Sequence, residues 1–469
     1  MSELKRVLGL WDIVAMNIVA VVGLRWITRS ARAGESSVTL WILAWLVFFL
    51  PLAAAVIELS SRHPEQGGLY SWTRRAFGPI HGFICGWCLW VNNLFYFPSL
   101  LLFAAANVLL LFGPAGDGLT DDRFYAVTFV LVALWGCVGL NLLGLGAGRL
   151  LQSVGSVSTW VPAALLIVAG AVAFGTSGSA SSFSTSNLLP RSDILGTLGL
   201  WSAMCFAFSG FELGALISEE VKDARSTIPR AILISGAVVT VIYIAGSASV
   251  LIAVPAETLK ELSGIADAVD KAGVQLGLVG MGAITGGLVA LGALAGNNSW
   301  FGGSARIPFA AGVHKVLPPA FARLHPRHHT PVVAIVVQGV VASTIFLASV
   351  FVSVSGGSTT IQEAYDILVN LTILVYFVPY LYLFPTLIRL RTITADGDQP
   401  GVVRVPCGTA GLWFVATAGF LATATSIALV FVPPPDTVNV LNYEANLIGQ
   451  SALVLGAGVA LYWWSARRT

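Results

Sequence analysis

The chain has 469 residues, of which 56% are hydrophobic and 10% charged, whereas a soluble domain carries about a quarter charged residues. A mean hydropathy of +0.83, with 49 glycines and 14 tryptophans, excludes soluble, disordered and fibrous classes and suits close-packed membrane helices with interfacial rings. The formal charge of +2 leaves no basic footprint for nucleic acid.

A bilayer-crossing helix needs about 20 apolar residues, and runs of that kind predict twelve helices. They lie near 10–30, 38–60, 80–112, 124–143, 150–175, 195–218, 230–254, 274–304, 331–353, 366–389, 410–432 and 446–465. The first run follows Lys5 and Arg6 and has no small-residue cleavage site, so it reads as a retained span and not a signal peptide. Turn and charge clusters such as 63–68, 113–117, 222–225, 396–400 and 433–436 separate the runs. With the N-terminus on one side of the membrane, most of the 25 lysines and arginines fall in the segments on that same side. Cytoplasmic loops carry such an excess, so both termini are expected in the cytoplasm, in a multi-pass protein of the plasma or inner membrane.

The five cysteines make no disulfide framework: Cys85, Cys88, Cys137 and Cys205 sit in apolar runs and Cys407 in a loop. Cys85 and Cys88 have redox-motif spacing, yet they lie in a hydrophobic helix without a preceding strand, where packing is the better account. His325, His328 and His329 read as a solvated loop with arginine and proline and not as a metal cluster.

Two spans are interrupted. The first runs Asn17 to Val22, then Gly23, Leu24 and Arg25, placing an arginine about 20 Å along a helix that rises 1.5 Å per residue. The sixth runs Phe206, Ala207, Phe208, Ser209, Gly210, Phe211, Glu212, a glycine followed by a glutamate at comparable depth. Charges there face a cavity or a partner, and irregular backbone needs protein or water around it. Paired breaks of this kind are the pattern of inverted-repeat transporters, with the substrate held between them. Val22, Gly23 and Leu24 on one side and Phe208, Ser209 and Gly210 on the other are the candidate lining. No nucleophile triad, nucleotide loop or catalytic carboxylate pair accompanies them, so enzyme chemistry is not expected.

Three motifs then resemble the amino acid-polyamine-organocation superfamily. They are Glu58 with 63–70 and 77–79; 208–212 with 219–223 and 228–231; and Arg306 through Leu317-Pro318, His325-Pro326 and Thr330-Pro331. The resemblance implies an all-α membrane fold of twelve helices, a five-plus-five inverted repeat with helices 1 and 6 broken, and two added C-terminal helices. Its divisions would be 1–175, 195–391 and 410–469. It implies alternating-access transport of a small amino acid or related amine, with no cofactor, coupled to protons or to sodium. A polyamine or organic-cation transporter, and a non-transporting receptor or subunit of the same fold, are the alternatives. Partners would be the small-molecule substrate and the lipid bilayer; an accessory subunit is left open.

By position, Gly23 matches the first glycine of the family's span-one break, Phe206 an aromatic gate, and Trp300 a second aromatic of span eight. Arg25 replaces the second glycine of the break, and Ser158 stands where some members place a lysine in lieu of sodium. Arg25 is open to three roles: binding a substrate carboxylate, replacing a coupling cation by donating to carbonyls of spans one and eight, or pairing with Glu212 or the external vestibule. Glu212 is open to a structural or a proton-linked role, and Glu58 is expected to cap its helix or pair with the neighbouring basic loop.

Overall fold

The computed structural model describes residues 8–64, 68–190, 194–216, 221–308, 317–328, 330–352, 360–393, 401–434, 437 and 439–467. The first span is two helices, α1 (Leu10–Val21) and α2 (Leu24–Ala31), bent by 46° at the break between them. Next come α3 (Ser36–Arg62, with a π turn at Trp45–Phe49), the short α4 (Gly68–Phe77), α5 (Pro79–Leu109), α6 (Arg123–Leu143) and α7 (Leu145–Ser177). The sixth span is α8 (Ile194–Ala207) followed by the single turn α9 (Leu213–Leu216). The chain continues through α10 (Ala224–Ala253), α11 (Gly264–Gln275), α12 (Met281–Ser304), α13 (Val332–Phe351), α14 (Ile361–Ile393), α15 (Gly408–Val430) and α16 (Val440–Ala466).

Among the described residues nine helices are long and apolar enough to cross a bilayer, and the bent α1–α2 pair makes ten. The two remaining expected spans fall short for visible reasons. The sixth loses its helix after Ala207, and the eighth, Met281–Ser304, is long enough but is diluted by its glycines and by Asn297 and Asn298; Gly277 and Gly280, at φ +73° and +86°, separate it from α11. Helix α12 is rich in glycine and packs closely on α7: a methyl at Gly155 would overlap the Ala295 side chain. Small residues at such crossings let backbones approach where lipid offers no hydrophobic drive between helices.

Helices α5 and α14 form the centre. Of the most apolar stretch of each, 72% and 83% respectively is buried in the protein, against 28% for α6 and α16, which face outward. Three starts among the described residues have side-chain caps: Asp122 accepts from the Tyr125 amide at 2.9 Å for α6, Thr360 from the Glu363 amide at 3.1 Å for α14, and Asn439 from the Asn442 amide at 3.0 Å for α16. Such caps satisfy amides that the first helical turn leaves open.

Both breaks are held by one tyrosine of α10. The Tyr243 hydroxyl accepts the Gly23 amide at 3.1 Å and lies 2.6 Å from the Val21 carbonyl and 3.3 Å from that of Ala207. Its ring stacks on Trp41 at 4.6 Å, and the Trp41 indole donates to Ser247 and Ser30. At the second break Gly210 turns at φ +106°, a conformation that L side chains rarely adopt, and its amide donates to Tyr380 and Glu212, each at 3.2 Å.

The ends of the bundle are tied separately. At one end Leu8 and Val221 form an isolated parallel bridge, the Lys222 amide donating to the Leu8 carbonyl at 2.8 Å, so the entry of α1 is joined to the exit of the sixth span. At the same end the buried Glu58 accepts from Arg62 at 2.9 Å, Arg391 at 3.4 Å and the Val405 amide at 2.8 Å. Glu58 thus pairs within its own helix and with the segment after α14.

Removing the Tyr243 hydroxyl leaves the Gly23 amide and Val21 carbonyl without their partner, which costs about 1–3 kcal/mol for buried groups. Tyr243→Phe is expected to lower the apparent melting temperature in detergent by several degrees. Tyr70→Phe, at an exposed ring, is expected to leave it within error.

Candidate functional site

The first turn of α2 places Arg25 beside the break, and the side chain is buried to 1% exposure. Its guanidinium lies against the rings of Trp26, at 4.4 Å, and Tyr96 of α5, at 4.6 Å, and Nη1 donates to Ser99 of the same helix as Tyr96 at 2.8 Å. Cation–π contacts of this kind strengthen where water is excluded. Nη2 is buried without a hydrogen-bond partner among the described residues.

The carboxylate expected opposite Arg25 is committed elsewhere. Glu212 Oε1 accepts from Tyr376 and Tyr380, each at 2.7 Å, and Oε2 from the Gly210 amide. Both tyrosines sit on α14 four residues apart, so they share a face. The structure therefore shows Arg25 bonded to Ser99, and neither a pair with Glu212 nor a bond to a carbonyl of α12 is present among the described residues.

Phe206 closes the space between the breaks: its ring is 5.1 Å from Trp26, 5.2 Å from Tyr376 and 6.1 Å from Phe377. Trp300 is half-buried and 6.4 Å from Tyr96, on the Arg25 side. Phe208 packs behind the break against Trp41, Phe49 and Tyr243, and so supports the site without lining this aromatic wall. Ser209 donates to the Phe206 carbonyl at 2.5 Å. Val22 donates to Ile18 at 2.9 Å, and the Gly23 amide goes to Tyr243, so these amides at the break are already engaged. Leu24 is buried at the start of α2. Ser158 is buried on α7 against Gly292 of α12, and Glu58 lies at the end of the bundle, away from the breaks.

A second charged cluster, not anticipated from the sequence, closes the opposite end of the bundle from Glu58. Arg29 of α2 donates to Glu261 at 2.7 Å, to Asp366 of α14 at 2.6 Å and to Asn370 at 3.1 Å. Arg32 pairs with Glu261 as well and lies 3.7 Å from Asp366. Burial alone would raise the Glu261 carboxyl, but the two guanidiniums outweigh it and hold the group below the ordinary carboxylate range. A cavity of about 320 Å³, lined in part by Arg32, Leu109, Asp121, Lys260 and Gln362, opens beside this cluster. The sequence signal was available: Arg25, Arg29 and Arg32 lie outside the basic set on the N-terminus's side of the membrane, and α14 carries Asp366 in an apolar run.

No group of three metal-ligating side chains occurs among the described residues. His325 Nδ1 accepts the amides of Arg327 and His328, while His329 lies outside the described residues. Cys85 and Cys88 are buried free thiols in α5.

Comparison with known proteins places this geometry. Residues 8–457 match the family model described as amino acid permease. The chain is 31% identical over 453 residues to an uncharacterized transporter of Legionella pneumophila, covering 96% of this chain and 95% of that one. It is 26% identical to a probable agmatine/putrescine antiporter, AguD, of Lactococcus lactis, over 91% and 87% of the two chains. Among solved structures, MhsT in complex with L-phenylalanine matches with a TM-score of 0.59 at 13% identity, over 91% of this chain and 98% of that one, a likeness of fold. An all-helical bundle with two broken spans, matched along almost its whole length by that family model, belongs to the amino acid permease family.

Proposed function

We propose that this transporter moves a small amino acid by alternating access and binds it between the two breaks. The observation that carries the reading is the enclosure itself: Trp26, Phe206 and Tyr376 form a continuous aromatic wall where α2 begins and α8 ends. The start of α2 is a positive helix end suited to a carboxylate, and the end of α8 is a negative one suited to an ammonium. The first-turn amides of Leu24 and Arg25 have no carbonyl four residues back in their own helix. They supply the donors that Gly23 does not.

Alternating access needs a closure on each side of the site. Arg29 with Glu261 and Asp366 serves one side, and Glu58 with Arg62 and Arg391 the other. The basic-residue bias places the Glu58 end in the cytoplasm. Glu212 is the group for proton coupling, because Ser158 offers no charge. Ionised, Glu212 accepts three hydrogen bonds; protonated, it gains a donor, and the hydrogen bonds around it must rearrange. Against the polyamine alternative stands Arg25, a buried cation on the wall of the site that repels a dication.

Reconstituted protein is expected to accumulate or exchange an amino acid in proteoliposomes; saturable binding without any exchange would favour the receptor reading. Glu212→Gln is expected to abolish the pH dependence of uptake, and a variant with normal rate and pH profile would remove Glu212 from coupling. Arg29→Ala leaves two buried carboxylates with less compensation, a change that costs about 3–5 kcal/mol when a buried pair is broken; a lower melting temperature and a leak in counterflow assays are expected. Cys407, exposed in the loop after α14, is expected to resist impermeant maleimide in intact cells and to react in inside-out vesicles. Asp121→Cys in a Cys407→Ser background is expected to show the reverse.

A further inference from the structure

Among the described residues Arg25 is a cation without an anion. It is 1% exposed, its guanidinium carbon lies 4.4 Å from the Trp26 ring and 4.6 Å from the Tyr96 ring, and Nη1 is taken by Ser99. What remains is Nη2, buried and without a partner among the described residues. The carboxylate on the far side of the wall, Glu212, is held by two tyrosine hydroxyls and an amide and is not turned toward it. A guanidinium kept out of water without a counter-charge is strongly disfavoured. In a membrane protein such a group marks a path or a site for an ion or ligand.

The position narrows the ligand. Trp26, which covers one face of Arg25, also packs on Phe206, and Phe206 on Tyr376. The Arg25 guanidinium therefore stands against the same aromatic wall as the two breaks. A zwitterionic amino acid brings one carboxylate and one ammonium, and the two helix ends complement those. Arg25 is a positive group in excess of that need. The unpartnered Nη2 lies at the edge of the guanidinium, where a planar carboxylate bonds to arginine.

We propose that the open edge of Arg25 is a second anion-binding position in the substrate site, and that the transporter selects amino acids with a carboxylate side chain over their amides and over diamines. The proposal rests on the reading of the space between the breaks as an amino acid site. It assigns Arg25 to the side-chain carboxylate and the start of α2 to the α-carboxylate.

The test uses the full-length protein, purified and in proteoliposomes, with L-glutamate, L-aspartate, L-glutamine, L-asparagine, L-serine and putrescine as probes in thermal shift and counterflow. In the unaltered protein glutamate or aspartate should bind at least tenfold more tightly than its amide, and putrescine should not compete. That ratio needs no variant and so does not depend on one folding. In Arg25→Gln, which keeps amide donors at the same place, the acid-to-amide ratio should fall toward one, chiefly through loss of acid affinity. Arg25→Lys should recover part of the ratio, because it restores the charge without the planar fork. If serine or glutamine exchanges as well as glutamate, or if the ratio is unchanged in Arg25→Gln, the proposal fails while the amino acid reading stands. If none of the amino acids binds or exchanges, the reading fails and the proposal with it.

Discussion

Backbone amides and carbonyls freed in the middle of a membrane have no water to turn to, and every other feature of this site follows from how they are bonded. The chain breaks two helices at that depth, between Val21 and Leu24 and after Ala207. A single hydroxyl, that of Tyr243, meets the polar groups of both breaks, and Tyr380 with Glu212 meets the Gly210 amide. The rings that carry these hydroxyls are fixed in turn by Trp41 and Phe377. Polar satisfaction and aromatic packing are therefore one construction, and the aromatic wall of the site is its outer layer.

Helix α14 links this construction to both ends of the bundle. It carries Asp366 in the Arg29 cluster, Tyr376 and Tyr380 on Glu212, and Arg391 on Glu58. From residue 366 to 391 is about 38 Å of helix at 1.5 Å per residue, close to the full thickness of a bilayer. One helix, with Pro379 and Pro385 inside it as points where its hydrogen bonding is interrupted, touches both charged clusters and Glu212 and so gives each cluster a physical route to the other. These contacts also account for α14 being the most enclosed helix of the bundle, since it has partners all round.

Ten of the twelve expected spans and both breaks were legible in the sequence, because an apolar run of bilayer length and a glycine beside a charge within it are local signals. Glu58 was legible too: a carboxylate one turn before a basic loop has an evident partner. The satisfaction of the breaks was not. Tyr243, Tyr376 and Tyr380 lie in apolar helices, where a tyrosine reads as packing, and their hydroxyl partners are more than 160 residues away for Glu212 and over 200 for Val21. The same separation hid the company of Arg25. An opposite charge, Glu212, was the natural partner to expect, whereas rings and a serine of α5 surround it. The eighth span was placed too early because its apolar content continues across Gly277 and Gly280, and hydropathy does not register the left-handed turns there.

The bridge between Leu8 and Val221 is made by main-chain atoms alone. It joins the half of the first span that precedes its break to the segment that follows the sixth, and it does so without drawing on any side-chain chemistry. Side chains at positions 8, 221 and 222 can therefore change over evolutionary time while the mechanical connection persists, provided the backbone stays extended and no proline removes the amide at 222. Relatives that retain the connection need share no residues there, and sequence comparison at those positions will register drift where the architecture is constant.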